Sequence, residues 1–128
     1  MKADNQYLIN EYKSRIYKTL DYIEKNIEKQ FTLEELSSIA NFSKFHFHRI
    51  FQGLVGETPF KFILRLRLEK AASLIKLNNK ESISEIACKC GFTDISIFSR
   101  NFKNYFKISA TNYRNEKSNL SQINSNNN

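Results

Sequence analysis

Two pairs of metal-binding residue types lie close together in the chain: His46 with His48, and Cys88 with Cys90. Residues two positions apart diverge by about 200° around a helix, so we do not expect the two histidines to share a metal ion. The Cys-Lys-Cys spacing fits neither a zinc knuckle nor a redox Cys-x-x-Cys motif. We expect Cys88 to lie in the core, with a thiol sensor as the alternative interpretation. These pairs predict no metal site.

Catalytic signatures are also missing from the sequence. It contains no glycine-rich phosphate loop and no nucleophile paired with a base. We therefore expect a protein that is not an enzyme and that uses no cofactor. The remaining candidate functional residues are those that could bind a partner, and two arginines are the clearest of these.

Arg49 and Arg100 occupy matching places on two stretches with helical periodicity. Apolar spacing predicts the inward faces as Phe47, Ile50, Phe51 and Leu54 in the first stretch, and Phe98, Phe102 and Tyr105 in the second. The outward faces are Phe45, His48, Arg49 and Gln52, and then Ser96, Ser99, Arg100 and Lys103. Neither outward face contains an acidic residue.

Such faces suit the edges of DNA bases. Arginine bonds guanine with two hydrogen bonds, glutamine pairs with adenine, serine bonds several base edges, and Phe45 or Ile97 suits a thymine methyl group. A lone arginine on a helix is usually a solvated charge, but two at one motif position favour base reading. We predict base contacts by Phe45, His48, Arg49, Gln52, Ser96, Ile97, Ser99 and Arg100.

Contacts to DNA phosphates are predicted from helix ends and from basic side chains. The helix N-termini near Ser43 and Thr93 offer N–H groups and the positive end of a helix dipole. The basic candidates are Lys44, Lys61, Arg65, Lys103 and Lys107. If about six of these groups engage, affinity should fall steeply with salt.

Capping and turn signals define the elements that hold these residues. Thr32 with Glu35 and Ser82 with Glu85 form predicted capping boxes, and Thr58 before Pro59 marks another helix start. Asn41 and Gly91 suit tight turns, Ser43 is a predicted cap, and either Thr93 or Asp94 caps the later helix. The predicted helices span 11–27, 33–40, 44–54, 59–77 and 83–89, followed by one that starts after Thr93 or Asp94 and ends at about Tyr105, and by a short last helix from Ser109 through Arg114.

The two halves of this pattern form an internal repeat. At an offset of 50, Thr32, Leu33, Glu35, Leu36, Phe42 and Ser43 match Ser82, Ile83, Glu85, Ile86, Phe92 and Thr93. At an offset of 51, Phe47, Arg49, Phe51, Thr58 and Phe62 match Phe98, Arg100, Phe102, Ser109 and Tyr113. A short capped helix, a tight turn and a second helix form a helix-turn-helix, so the sequence predicts two of them.

The predicted architecture is all-α, with about seven helices. It comprises a loose segment at 1–10, a first helix-turn-helix subdomain at 11–58, a linker helix at 59–77, a second helix-turn-helix subdomain at 78–117 and a disordered tail at 118–128. Only three Gly and one Pro among 128 residues disfavour a β-sandwich or barrel.

The charge distribution favours a polyanionic partner. The net charge is +7, but residues 1–43 carry 6 basic and 7 acidic groups, whereas residues 44–128 carry 14 and 6. An excess confined to one part of the chain suggests a polyanion-binding surface, although a basic solvated face explains the charge equally well. No signal peptide or membrane-spanning run occurs, and two cysteines form no disulfide framework, so we expect a cytoplasmic protein.

A longer ordered set of residues carries a family resemblance: Arg67-Leu68, Ala71, Leu74-Ile75, Ile83-Ser84-Glu85-Ile86-Ala87, Gly91-Phe92, Phe98-Ser99-Arg100, Phe102-Lys103 and Tyr113-Arg114. Over residues 16–114 the chain resembles the DNA-binding domain of AraC/XylS-type transcription regulators. In size it is similar to stand-alone members, which activate stress and multidrug-resistance promoters as monomers. The resemblance implies base-reading positions at Phe45, His48, Arg49, Ser96, Ile97 and Arg100, with Ile95 and Ser99 beside them.

The sequence departs from the family pattern near its last helix. Where the family usually has Gly and then Thr-Pro, this chain has Lys107, Ser109 and Ala110. We expect the last helix to begin less rigidly, and the small or apolar readers of the second unit to specify sequence less sharply.

Three hypotheses follow. The first is a monomeric double-stranded DNA-binding regulator complete in itself, an activator that contacts RNA polymerase. The second is the DNA-binding half of a ligand-gated regulator whose effector domain lies elsewhere. The third is a helical protein-interaction module with an incidental basic face, against which the acid-free outward faces argue.

Overall fold

Seven α-helices and no strands occur in the part of the chain described by a computed structural model, which covers residues 2–77 and 80–116, with side chains from residue 5 onward. They are α1 (Lys2–Lys25), α2 (Leu33–Ala40), α3 (Lys44–Val55), α4 (Pro59–Leu77), α5 (Ile83–Lys89), α6 (Ile95–Phe106) and α7 (110–116). The predicted all-α class is confirmed. None of the described helices is long and apolar enough to cross a membrane.

The chain divides into two compact units, and the division falls inside α4. Unit 1 is Met1–Arg65 and unit 2 is Leu66–Asn128. The helix predicted as a linker therefore contributes its first residues to unit 1 and its remaining residues to unit 2.

The core of unit 1 is built on an apolar stripe along α1, which packs against α2 and α3. Ile16, Ile23 and Ile27 recur along this stripe and are at most 3% exposed. Burial of each isoleucine contributes about 1.5–3 kcal/mol. The buried hydroxyl of Thr19 donates to the Arg15 carbonyl at 3.1 Å, so its burial leaves no unsatisfied donor.

The core of unit 2 joins the second part of α4 to the three helices that follow. The buried apolar residues are Leu68, Ala71, Ala72 and Ile75 of α4; Ile86 and Ala87 of α5; Cys90, which directly follows α5; Phe98 and Phe102 of α6; and Ala110 of α7. Alanine at several of these positions allows close helix approach, and the two phenylalanines are the largest side chains of this core.

The start of α1 differs from the prediction. Residues up to Asn10 were predicted to be loose, but α1 begins at Lys2. Residues 2–10 contain no Gly or Pro to interrupt a helix, and Gln6 Nε2 donates to Asn10 Oδ1 one turn later at 3.0 Å. Residues 5–10 are all exposed, so local bonding rather than packing holds them helical. The helix prediction relied on apolar residues at helical spacing and therefore missed this segment.

Three side-chain orientations also differ from the prediction. Cys88 is exposed and Cys90 is buried, because Cys90 shares a face of the short α5 segment with Ile86. Leu54, near the end of α3, is 40% exposed. Tyr105 is 44% exposed because its hydroxyl donates to Glu69 Oε1 at 3.2 Å instead of entering the core.

Two predictions lie outside the described residues. They are the start of the second subdomain, at Asn78 and Asn79 directly after the predicted linker helix, and the disordered tail at 118–128. The described part of the chain ends at Glu116, in α7.

Candidate nucleic-acid interface

The turn of unit 1 forms as its local sequence predicts, except that Glu35 bonds a residue of α1 instead of its own helix cap. Thr32 Oγ1 accepts from Glu35 N at 3.1 Å and caps α2, and Asn41 has the expected left-handed backbone at φ 59°. The second half of the predicted capping box does not form, because Glu35 Oε1 accepts from the hydroxyl of Tyr22 on α1. This bond joins the first helix of the motif to the body of unit 1.

Arg15 ties α1 to the same turn, and sequence reasoning missed it. Its Nη1 donates to the Asn41 carbonyl at 3.2 Å, and its guanidinium carbon lies 4.9 Å from the ring centroid of Phe42. Its Nη2 also pairs with Glu11 at 2.8 Å. The four-residue spacing of Glu11 and Arg15 was the only sequence signal, and it indicates the ion pair but not the contact with the turn.

Helix α3 presents to solvent the outward face that is predicted to read DNA bases, which we call its reading face. Ser43 Oγ accepts from His46 N at 3.2 Å and caps the helix. Phe45 is 74% exposed, Arg49 and Gln52 are exposed, and His48 is half-buried. The Arg49 guanidinium carbon lies 5.8 Å from the Phe45 ring centroid, so the ring supports the charged group from one side.

Counted between equivalent residues, the turn of unit 2 is one residue longer than that of unit 1: three residues separate Ala40 from Lys44, and four separate Cys90 from Ile95. Ser82 and Glu85 form both bonds of a capping box, and Gly91 takes a positive φ of 98°. The cap of α6 is Asp94 rather than Thr93: Asp94 Oδ1 accepts from Ser96 N at 2.8 Å and from Ile97 N at 3.3 Å. Thr93 is the added residue, which explains the change in repeat offset from 50 to 51.

Helix α6 also presents its predicted reading face to solvent. Ser96, Ser99 and Arg100 are exposed, and Ile97 is 43% exposed. The opposite side is anchored by Phe98 and Phe102, which are both 0% exposed. Neither α3 nor α6 contains an acidic residue.

The internal repeat extends to the geometry of the aromatic cores. The ring centroids of Phe47 and Phe51 are 5.6 Å apart, and those of Phe98 and Phe102 are also 5.6 Å apart. The next pair in each unit, Phe51 with Phe62 and Phe102 with Tyr113, is 5.7 Å apart in both cases. Because these pairs match at the offset found in the sequence, the duplicated motif is confirmed.

The predicted phosphate contacts fall into two groups. Lys44 and Arg65 pair within the chain, with Glu34 at 2.9 Å and with Glu57 at 2.7 Å. The hydrogen bond from Lys44 holds the pKa of Glu34 below its usual value. The candidates with exposed side chains and no intramolecular ion pair with a described residue are Lys61, Lys103 and Lys107. Ser43 is a helix cap, and Thr93 is exposed in the turn.

No group of three or more His, Cys, Asp or Glu side chains suited to a metal ion occurs among the described residues. The two cysteines differ in environment, since burial raises the pKa of Cys90 whereas Cys88 is exposed. The site therefore consists of hydrogen-bonding, basic and apolar side chains on two helices.

Comparison with known proteins gives a family match over most of the chain. A helix-turn-helix domain family matches residues 36–116. The probable transcriptional regulator LumQ of Photobacterium leiognathi is 36% identical over 94 residues, which cover 73% of this chain and 38% of LumQ. The multiple antibiotic resistance protein MarA of Salmonella typhimurium is 33% identical over 99 residues, or 77% of each chain.

Solved structures give the same match. A transcriptional regulator from Chromobacterium violaceum, described as having an AraC-type DNA-binding domain, aligns with a TM-score of 0.74 and 27% identity over 82% of this chain and 93% of that one. The DNA-binding domain of AdpA, solved in complex with a target DNA, aligns with a TM-score of 0.75 and 25% identity over 79% of this chain and 90% of that one.

Proposed function

The chain belongs to the AraC-type helix-turn-helix family of DNA-binding domains, and on this premise we propose that it regulates transcription by reading duplex DNA with α3 and α6. Members of this family are DNA-binding regulators, which confirms the expectation that the chain is not an enzyme. The observation that carries the proposal is the pair of exposed, acid-free faces bearing Arg49 and Arg100 at equivalent positions.

Each reading face has a distinct proposed role. In unit 1, Arg49 bonds a guanine, Phe45 contacts a thymine methyl group, and His48 and Gln52 bond neighbouring base edges. In unit 2, Arg100 bonds a second guanine, flanked by the short side chains of Ser96 and Ser99 and by the apolar Ile97. Lys61, Lys103 and Lys107 contact phosphates, and Lys44 and Arg65 do so by exchanging their carboxylate partners for phosphate.

One chain supplies two reading helices, a number that most helix-turn-helix proteins reach only as dimers. We therefore propose that a monomer engages two successive segments of the major groove. We also propose that it acts as an activator in contact with RNA polymerase, in the cytoplasm, where bacterial DNA is located.

A second candidate is the DNA-binding part of a larger, ligand-gated regulator. The observation that favours it is length: the chain spans 38% of LumQ and 35% of the lactose operon transcription activator of Staphylococcus xylosus. The two candidates differ in whether this chain alone activates a promoter without an added ligand. A reporter carrying a promoter that the chain binds distinguishes them.

The central experiment replaces Arg49 and Arg100 separately by Ala. A target site is first selected from a genomic DNA library, and affinity is then measured by fluorescence anisotropy at fixed salt. We expect each replacement to cost about 1–3 kcal/mol of binding free energy on the selected site.

Two controls separate base reading from charge. Arg49→Lys keeps the charge but loses the bidentate hydrogen bond. It should therefore lower the affinity for the selected site more than the affinity for DNA of unrelated sequence. Lys18→Ala removes an exposed charge from α1 and should have little effect. Unchanged affinity in both arginine variants would exclude the DNA-reading role and favour a protein-interaction module.

A further inference from the structure

The amino ends of the two reading helices carry different charges. At α3 the cap is the neutral Ser43, and the first helical residue is Lys44. At α6 the cap is the carboxylate of Asp94, and the first helical residue is Ile95. The two caps occupy corresponding positions, because each precedes the first buried phenylalanine of its helix by four residues.

The charge of Asp94 has no basic partner among the described residues. It is exposed and makes no ion pair within the described part of the chain, whereas Glu34, Glu57 and Glu81 each pair with a lysine or arginine. One oxygen of Asp94 accepts from two backbone N–H groups at the start of α6. The positive end of this helix, which would otherwise attract a phosphate, is therefore occupied by an anion of the protein itself.

We propose that Asp94 is an electrostatic restraint on DNA binding by unit 2. Its carboxylate disfavours a phosphate at the amino end of α6, so Lys103 and Lys107 make the proposed phosphate contacts of unit 2. The inference rests on the proposed function, since it concerns how strongly the same site binds. Because phosphates are present in every sequence, the restraint weakens binding to arbitrary DNA as well as to a target site.

The test replaces Asp94 by Asn, which removes the charge and keeps a comparable helix cap. The probe is a duplex of arbitrary sequence of about 30 base pairs, close to three helical turns. At low ionic strength we expect Asp94→Asn to bind this probe about three- to tenfold more tightly, with a gain that shrinks as salt screens the charge. Thermal melting verifies that the variant is folded.

Two further variants serve as matched controls. Asp21→Asn makes the same change in net charge on α1, at a residue paired with Lys25, and should change affinity by less than about twofold. Ser43→Asp introduces a carboxylate at the cap of α3 and should weaken binding of the same probe. Opposite effects of Ser43→Asp and Asp94→Asn would assign the difference between the units to their cap charges.

The possible outcomes separate this inference from the proposed function. If the unmodified chain binds neither arbitrary nor selected DNA, the proposed function fails and the restraint fails with it. If the chain binds and Asp94→Asn leaves affinity unchanged, or matches the Asp21→Asn effect, the restraint alone is wrong. A loss of affinity confined to sites with one particular base would instead assign Asp94 to a cytosine amino group, and would also overturn the restraint.

Discussion

Unit 1 and unit 2 contain the same helix-turn-helix framework, but they end their reading helices with different residues. Gly56 follows α3 with φ 88°, and its N–H donates to the Gln52 carbonyl at 2.9 Å. Lys107 follows α6 with φ 65°, and its N–H donates to the Lys103 carbonyl at 2.8 Å. The left-handed cap therefore persists where glycine is replaced, although a side chain there costs about 1–2 kcal/mol.

The comparison shows where the duplicated motif tolerates change. The core aromatic pairs have matching separations in the two units, whereas the caps and turns differ in residue type, charge and length. Core packing fails when volume changes, but a helix end accepts any group that satisfies its N–H or carbonyl groups. Differences between the units thus accumulate at the ends of the reading helices.

The largest expected effect tests whether the two cores are equivalent. Phe51→Ala and Phe102→Ala each remove a ring that is 0% exposed. Phe51 contacts two other rings in its unit, and Phe102 contacts three. We expect each replacement to lower the free energy of unfolding by about 3–5 kcal/mol, through lost burial and the cavity left behind. Urea unfolding followed by circular dichroism measures this.

The control for these variants is Phe60→Ala on α4, where the ring is 48% exposed. This replacement should lower the free energy of unfolding by well under half as much, since much of the ring already contacts water. A loss at Phe102 below about 1 kcal/mol would contradict the equivalence of the two cores.

A smaller effect is expected at the left-handed caps. Lys107→Gly relieves backbone strain but increases the freedom of the unfolded chain, so we expect a net gain of about 0.5–1 kcal/mol. Gly56→Ala should lose about 1 kcal/mol, and only through its backbone, because an added Cβ would meet no atom within 4 Å. Thermal melting of both variants measures the change. A loss of stability in Lys107→Gly would show that this side chain contributes more than its backbone costs.

The smallest structural change compares the reactivity of the two cysteines. Cys90 is buried at the position where unit 1 has the buried Ala40, while Cys88 is exposed. In a Cys88→Ser variant, Cys90 should react with a thiol reagent at least about a hundredfold more slowly than Cys88 in a Cys90→Ala variant. Burial also raises the pKa of Cys90, which leaves less of the reactive thiolate. The rate, followed by mass spectrometry, then reports opening of unit 2 alone, and equal rates for the two cysteines would contradict the assigned burial.

Much of the fold was determined by the sequence itself. Thr32, Ser43 and Ser82 marked the helix starts, and Asn41 and Gly91 marked the turns, because caps and left-handed positions depend on neighbouring residues in the chain. The exposure of Phe45, Arg49 and Arg100 followed from the periodicity of two strongly amphipathic helices. The prediction that Cys88 lies in the core was wrong, because it followed from the usual burial of cysteine and not from the position of Cys88 on the seven-residue α5.

The tertiary structure decided the partners of the side chains. Glu35 bonds Tyr22 instead of its own cap, Lys44 pairs with Glu34, and Arg15 holds the turn at Asn41. Each contact joins residues from different elements, so it depends on how the helices pack and not on their spacing along the chain. The choice of Asp94 over Thr93 as the cap of α6 has the same origin, since the start of the helix follows the placement of Phe98 in the core.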